Sequence, residues 1–135
     1  VMNLVGMQTM AHAAANLEPH GPFYAPSAKV KEMGDSNAKW EIGEAPAPDA
    51  DADARIADRL WGAMFLPVLQ ELDEDVASPV EIDMGAGLAL RFGKAPCVTM
   101  DAVGRDEVSR IIGYYCERYS IEAPKSLSKI GSLIG

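Results

Sequence analysis

The chain is poor in the residues that most metal sites and thiol enzymes use. Its 135 residues include only two histidines and two cysteines. His12 and His20 have no cysteine or carboxylate cluster beside them, so a zinc site would need distant ligands. Cys97 and Cys116 fall in different predicted elements, and two buried thiols in a reducing intracellular compartment explain them better than a disulfide does. We therefore expect no metal ion and no cofactor, and the sequence leaves the pairing of the cysteines open.

Long hydrophobic runs are also absent. A helix needs about 20 consecutive apolar residues to span a bilayer, and the longest candidates here, 61–69 and 127–134, are far shorter. We predict no transmembrane segment, and peripheral association with a membrane complex stays open. The first residue is Val1, from which we expect either a removed leader, as in a processed organellar protein, or a trimmed chain. The sequence does not determine the compartment.

Basic residues are scarce in the middle of the chain. Between Glu41 and Asp83 there are twelve acidic residues against only Arg55 and Arg59, a balance of −10. The rest of the chain has a balance of +2, which gives the net charge of −8. An acidic segment of this kind repels phosphate backbones and anionic lipid, and it favours a basic protein surface as partner. We predict protein partners with basic surfaces and no nucleic acid.

A calcium-binding loop is begun but not completed. Asp49, Asp51 and Asp53 have the spacing that opens an EF-hand loop. The loop then needs glycine at its sixth position and glutamate at its twelfth, where this chain has Ala54 and Leu60. We interpret the three aspartates as a solvated run that caps the helix after it.

Phosphate-binding and catalytic motifs are missing as well. The glycine-rich stretch 85–94 has Leu90 where a dinucleotide fingerprint needs glycine, and Ala95 where a Walker loop needs serine or threonine. An enzyme that pairs carboxylates such as Asp83 and Asp101 is a third reading, but no motif supports it. We therefore expect no catalytic residues and predict that the protein is not an enzyme.

Two stretches have the apolar spacing of an amphipathic helix. The first, 53–73, repeats apolar residues every four positions, and Pro67 inside it should bend or restart the helix. The second, 105–119, has acids at its start and Arg118 near its end, as the helix dipole favours. The apolar positions of the first are Ile56, Leu60, Met64, Val68 and Leu72, and those of the second include Val108, Ile111, Ile112 and Tyr115.

The stretch 79–100 alternates apolar and polar residues, which predicts strands. Two such runs flank the Gly-rich turn 85–87 and favour a hairpin, and 97–100 favours a third strand. The sequence therefore predicts an α+β fold. In it, two main helices pack on one face of a small antiparallel sheet of two or three strands, with an extended irregular N-terminal arm.

The chain divides into an arm, 1–52, and a compact domain, 53–135, that ends in an apolar tail. The arm comprises a helix over 2–17, an irregular stretch and an acidic Pro/Asp linker over 44–54. Within the irregular part, the turn residues 34–37 favour a second hairpin.

These features favour a non-catalytic structural or accessory subunit of a larger assembly. Irregular arms and apolar tails bind neighbours by wrapping over them and ordering on contact. Apolar and aromatic side chains dominate such interfaces. The residues predicted to anchor the partner are Met7, Met10, Trp40 and Ile130.

An acidic inhibitor or immunity-type protein that binds a basic protein surface is the alternative. A cluster of acids at the end of the predicted helix 53–73 opposes the helix dipole, so helix stability does not explain it. The residues predicted to face the basic target are Asp73, Glu74, Asp75, Glu81 and Asp83. Both functions imply protein partners.

Overall fold

The computed structural model describes residues 2–135, and every regular element within them is a helix. The helices are α1 (Met2–Val5), α2 (Met7–Leu17), α3 (Ala28–Asp35), α4 (Ala50–Asp73), α5 (Pro79–Ala89), α6 (Pro96–Val103) and α7 (Arg105–Tyr119), with 3₁₀ turns at Glu18–His20 and Lys125–Lys129. None of them combines the length and apolarity that crossing a membrane requires. The chain forms two compact units, Val1–Ala47 and Pro48–Gly135. The boundary predicted after residue 52 lies inside α4.

The predicted α+β fold is wrong, because α5 and α6 occupy the stretch assigned to the sheet. A capping box starts α5: the Ser78 hydroxyl accepts from the Glu81 amide, while the Glu81 carboxylate accepts from the Ser78 amide. Pro79 follows at the first helical position, where its missing N–H costs nothing. The alternation of apolar residues fits a strand, but Val80 and Met84 also lie four apart on one helix face. Capping therefore outweighs the period-two pattern.

The hairpin predicted around residues 34–37 is likewise absent, and α3 lies there instead. The Ser27 side chain caps α3 by accepting a hydrogen bond from the Val30 amide. The turn residues end the helix, and Asn37 takes a left-handed conformation with φ 49°.

The two strongest helix predictions are confirmed. The helix α7 has the predicted bounds, and α4 covers the whole of 53–73 and continues through Pro67. Asp49 caps α4 by accepting from the Asp51 and Ala52 amides at 3.1 and 3.0 Å. The predicted N-terminal helix is interrupted at Gly6, whose φ of 93° separates α1 from α2.

The core of the second unit lies where the C-terminal half of α4 meets α6, α7 and the last 3₁₀ turn. Gly62 lets α7 cross α4 closely: a Cβ there would lie 2.6 Å from the Tyr115 ring and 3.2 Å from the Ile111 carbonyl oxygen. The fully buried side chains include Phe65, Leu66, Leu69, Met100, Val108 and Ile112.

The first unit is built around the packing of α2 on α3. Gly34 makes the contact close, since a Cβ on it would lie 2.5 Å from the Ala11 Cβ. Met7 and Met33 are buried at this contact, and the Asn3 side chain holds the Trp40 backbone through two hydrogen bonds of 2.8 and 2.9 Å.

Candidate protein-binding face

Part of the acidic surface is used inside the fold. Asp73, at the end of α4, accepts hydrogen bonds from the Lys125 and Ser126 amides, both at 2.7 Å. The Ser126 hydroxyl donates to the Leu69 carbonyl oxygen at 2.8 Å. Partial burial raises the pKa of Asp73, but the two amide donors outweigh it, and the pKa lies below its usual value. Asp73 therefore attaches the C-terminal segment to α4.

Two further aspartates act in the same way. Asp83 on α5 accepts from the Cys97 and Val98 amides at 2.7 and 2.9 Å, and so caps α6 from outside that helix. Asp101 on α6 accepts from three backbone amides of the C-terminal segment. The three donors are Gly131 at 2.7 Å, Ile134 at 3.0 Å and Leu133 at 3.2 Å. These carboxylates stabilise the start of α6 and the C-terminal segment. The spacing of the acids in the sequence did not predict this role.

The predicted anchor residues are scattered rather than gathered. Met7 and Ile130 are buried within their own units, so neither is a surface residue in this structure. Met10 is half-buried and Trp40 is exposed. Of the predicted acidic contacts at the end of α4, Glu74 and Asp75 lie exposed, and Asp73 forms the hydrogen bonds described above.

A different surface brings apolar side chains together. Ile56 and Leu60 on the first half of α4 are 57% and 69% exposed. Asp53, three positions before Ile56, and Met64, four positions after Leu60, lie on the same side of the helix. We call these four residues the α4 face. It is an apolar stripe with a free carboxylate at its N-terminal end.

An apolar groove continues the α4 face beside Met64. It has a volume of about 510 Å³ and an almost entirely apolar wall. The lining residues are Trp61, Met64, Phe92, Gly93 and Lys94. The Trp61 ring stacks on the buried Phe65 ring with their centroids 5.3 Å apart, which fixes one wall of the groove.

The Arg110 side chain on α7 is already paired with two carboxylates. The Arg110 guanidinium donates to both oxygens of Asp58 at 2.7 and 2.8 Å and to Glu107 at 2.6 and 2.8 Å. The hydrogen bonds from Arg110 lower the pKa of Asp58 and also lower the pKa of Glu107. This cluster ties α4 to α7 and uses the Arg110 charge inside the fold.

The thiols are poor nucleophiles. Burial, together with the adjacent Asp83 carboxylate, raises the pKa of Cys97 to about 12. Burial also raises the pKa of Cys116. Since a thiol reacts as its thiolate, both shifts disfavour the reactive form near neutral pH. Within residues 2–135, no three histidine, cysteine or acidic side chains are grouped closely enough to hold a metal ion.

Comparisons with known proteins give no further indication: no family model, curated protein or solved structure matches the chain.

The sequence predicted Ile56, Leu60 and Met64 as the apolar side of a helix packed on a sheet, and it interpreted Asp53 as part of the run that caps this helix. The structure shows why these side chains are open. The helix α7 packs on the side of α4 that carries Asp58 and Gly62. Ile56 and Leu60 lie on the opposite side of the same helix turns, so α7 leaves them uncovered.

Proposed function

We propose that this protein is a non-catalytic accessory subunit that binds a neighbouring protein through the α4 face. One observation carries the proposal: adjoining apolar side chains lie open on the longest helix. Burying Ile56 or Leu60 would gain about 1.5–3 kcal/mol each. Isolated exposed apolar residues are ordinary, whereas a stripe that continues into an apolar groove is typical of a binding surface.

The charge next to the stripe indicates the kind of partner. Asp53 is exposed and forms no ion pair with any described residue. The partner that fits is an amphipathic helix that lays its apolar side along α4 and places a lysine or arginine beside Asp53. An apolar side chain of that helix would fill the groove beside Met64.

The other predicted contact segments support this proposal unequally. The C-terminal tail is held by Asp73 and Asp101 within its own unit, so we place the contact on α4 instead. The first unit has exposed apolar side chains that suit a second contact with the same assembly. We assign this second contact to Leu4, Val5, Trp40 and Ile42.

The inhibitor alternative stays a prediction with less to support it. Of its five acids, three already hydrogen-bond inside the fold: Asp73, Asp83 and Glu81. Glu74 and Asp75 remain to meet a basic target. Two exposed carboxylates give little affinity by themselves.

The test combines photo-cross-linking with affinity measurements. Benzoylphenylalanine replaces Leu60 in the full chain expressed in its native cells, and a second chain carries it at position 17 as a control. The cross-linked peptide should be apolar and should contain lysine or arginine. The protein that it identifies is then purified for titration.

Leu60→Asp should weaken that purified complex at least tenfold, which corresponds to about 1.4 kcal/mol. Leu17→Asp, at another exposed leucine, should leave the dissociation constant unchanged. Asp53→Asn should slow association at low salt and have little effect at high salt. Equal affinity for Leu60→Asp and the wild type would contradict the proposal.

A further inference from the structure

The helix α5 exposes a second apolar stripe, remote in sequence from the α4 face. Val80, Met84 and Leu88 lie four residues apart and are 60%, 58% and 75% exposed. The opposite side of α5 is covered, since Ala86 is buried there and Asp83 bonds to the start of α6. We call these three side chains the α5 stripe.

Two glycines beside the α5 stripe have no role in the packing of the described chain. A Cβ at Gly85 or Gly87 would meet nothing within 4 Å. Glycine weakens an exposed helix relative to alanine, so an isolated unit would be more stable without them. Small residues on an open helix face allow another helix to approach closely. The glycines add to the stripe but do not identify the partner.

The charges at the two ends of α5 indicate what kind of partner fits the α5 stripe. Asp75 and Glu81 lie exposed at the N-terminal end, in a cleft that Lys129 also lines. The net charge of these three side chains is −1.

The C-terminal end has the opposite charge. Arg91 and Lys94 are exposed there, form no ion pair with any residue in 2–135, and give a net charge of +2. The surface is therefore complementary to itself after a half-turn, as a two-fold interface requires.

We propose that α5 binds α5 of a second copy of this chain in antiparallel orientation, so that the two α5 stripes pack together. Met84 then lies at the two-fold axis, and Val80 of each copy faces Leu88 of the other. The antiparallel orientation sets each acidic end against the basic end of the other copy and aligns the helix dipoles favourably. A parallel pair would oppose like charges. This contact uses no residue of the α4 face itself, although Lys94 also lines the groove beside Met64, and it goes beyond the proposed subunit function.

The contact is short, so the dimer should be weak. The α5 stripe extends about 12 Å along the helix axis, and interfaces well under 1,200 Å² are typical of transient complexes. We expect a dissociation constant between about 1 µM and 1 mM. Added salt should raise it, because screening weakens the end-to-end attraction.

Sedimentation equilibrium of the purified full chain tests the association. The wild type should dimerise over this concentration range, and Leu88→Glu should weaken the dimer at least tenfold. Leu4→Glu, at a leucine that is 91% exposed in the other unit, should leave it unchanged. Circular dichroism checks that each variant keeps its helical content. A monomeric wild type at the highest concentration, or equal dimerisation by Leu88→Glu, would overturn the proposal.

Disulfide cross-linking tests the orientation. Val80→Cys and Leu88→Cys chains of different mass are mixed and oxidised, and the linked peptides are identified by mass spectrometry. The antiparallel arrangement predicts links between position 80 of one chain and position 88 of the other. Links that join position 80 to position 80 would show a parallel pair and contradict the proposal. Partner binding by the α4 face is measured separately, so one proposal can fail while the other holds.

Discussion

At the scale of single residues, two glycines inside helices differ in how closely the chain packs against them. Gly62 lies where α7 crosses α4, and the Tyr115 ring against it is held by a hydrogen bond from its hydroxyl to the Arg59 carbonyl oxygen at 2.7 Å. Gly113 on α7 has open space where a Cβ would be. Neither role can be read from the sequence, because what lies opposite each glycine is set by elements that are distant in sequence.

Replacing each glycine by alanine should therefore change stability in opposite directions. Gly62→Ala should destabilise the second unit by about 1–3 kcal/mol, since the added methyl displaces a ring that is fixed by its hydroxyl. Gly113→Ala should stabilise it by about 0.5–1 kcal/mol. Urea denaturation followed by circular dichroism measures both. Destabilisation by both variants to the same extent would show that the crossing is not close.

At the scale of elements, aspartates join segments that apolar packing alone leaves loose. Asp83 caps α6 from α5, and Asp73 and Asp101 hold the segment after α7. Charged acceptors make strong hydrogen bonds to backbone amides that would otherwise be unpaired. The ends of the short helices therefore depend on carboxylates supplied by other elements.

Asp101→Ala should release the C-terminal segment while leaving the helices folded. Amide hydrogen exchange at Gly131, Leu133 and Ile134 should speed up at least tenfold, because each of these amides loses its acceptor. Glu117→Ala removes an exposed acid on α7 and serves as the matched control. Unchanged exchange at the three amides would mean that Asp73 and the burial of Ile130 hold the segment without Asp101.

At the scale of the whole molecule, acid should destabilise the second unit. Hydrogen bonds that exist only in the folded state hold the pKa values of Asp58 and Asp73 below 3.8, their ordinary value. Groups with a depressed folded pKa contribute stability that is fully present above the unfolded value. That contribution is lost as the pH falls through the folded value.

Asp73→Asn should reduce this pH dependence. The free energy of unfolding of the wild type should be level above about pH 5 and decline below about pH 4. The variant should be less stable at neutral pH and should decline less in acid, because one linked proton is gone. Thermal melts between these pH values measure the slope. Identical slopes for variant and wild type would show that Asp73 does not contribute.

Prediction from the sequence succeeded where the spacing of apolar residues fitted only one kind of secondary structure. The four-residue spacing over 53–73 and the bounds of α7 were recognisable, because long periodic stretches fit only a helix. It failed for α5, because Val80, Ile82 and Met84 fit a strand as well as a helix over so short a run. The capping box of Ser78 and Glu81 was the signal that distinguished the two.

The sequence by itself determined the charge distribution, the absence of complete catalytic motifs and the two principal helices, since these depend on composition and local spacing. Only the tertiary structure decided which apolar residues are buried and which remain open. Ile130 became core while Leu60 and Leu88 remained on the surface, although all three are apolar. Burial depends on which element packs opposite, and residues distant in sequence supply that element.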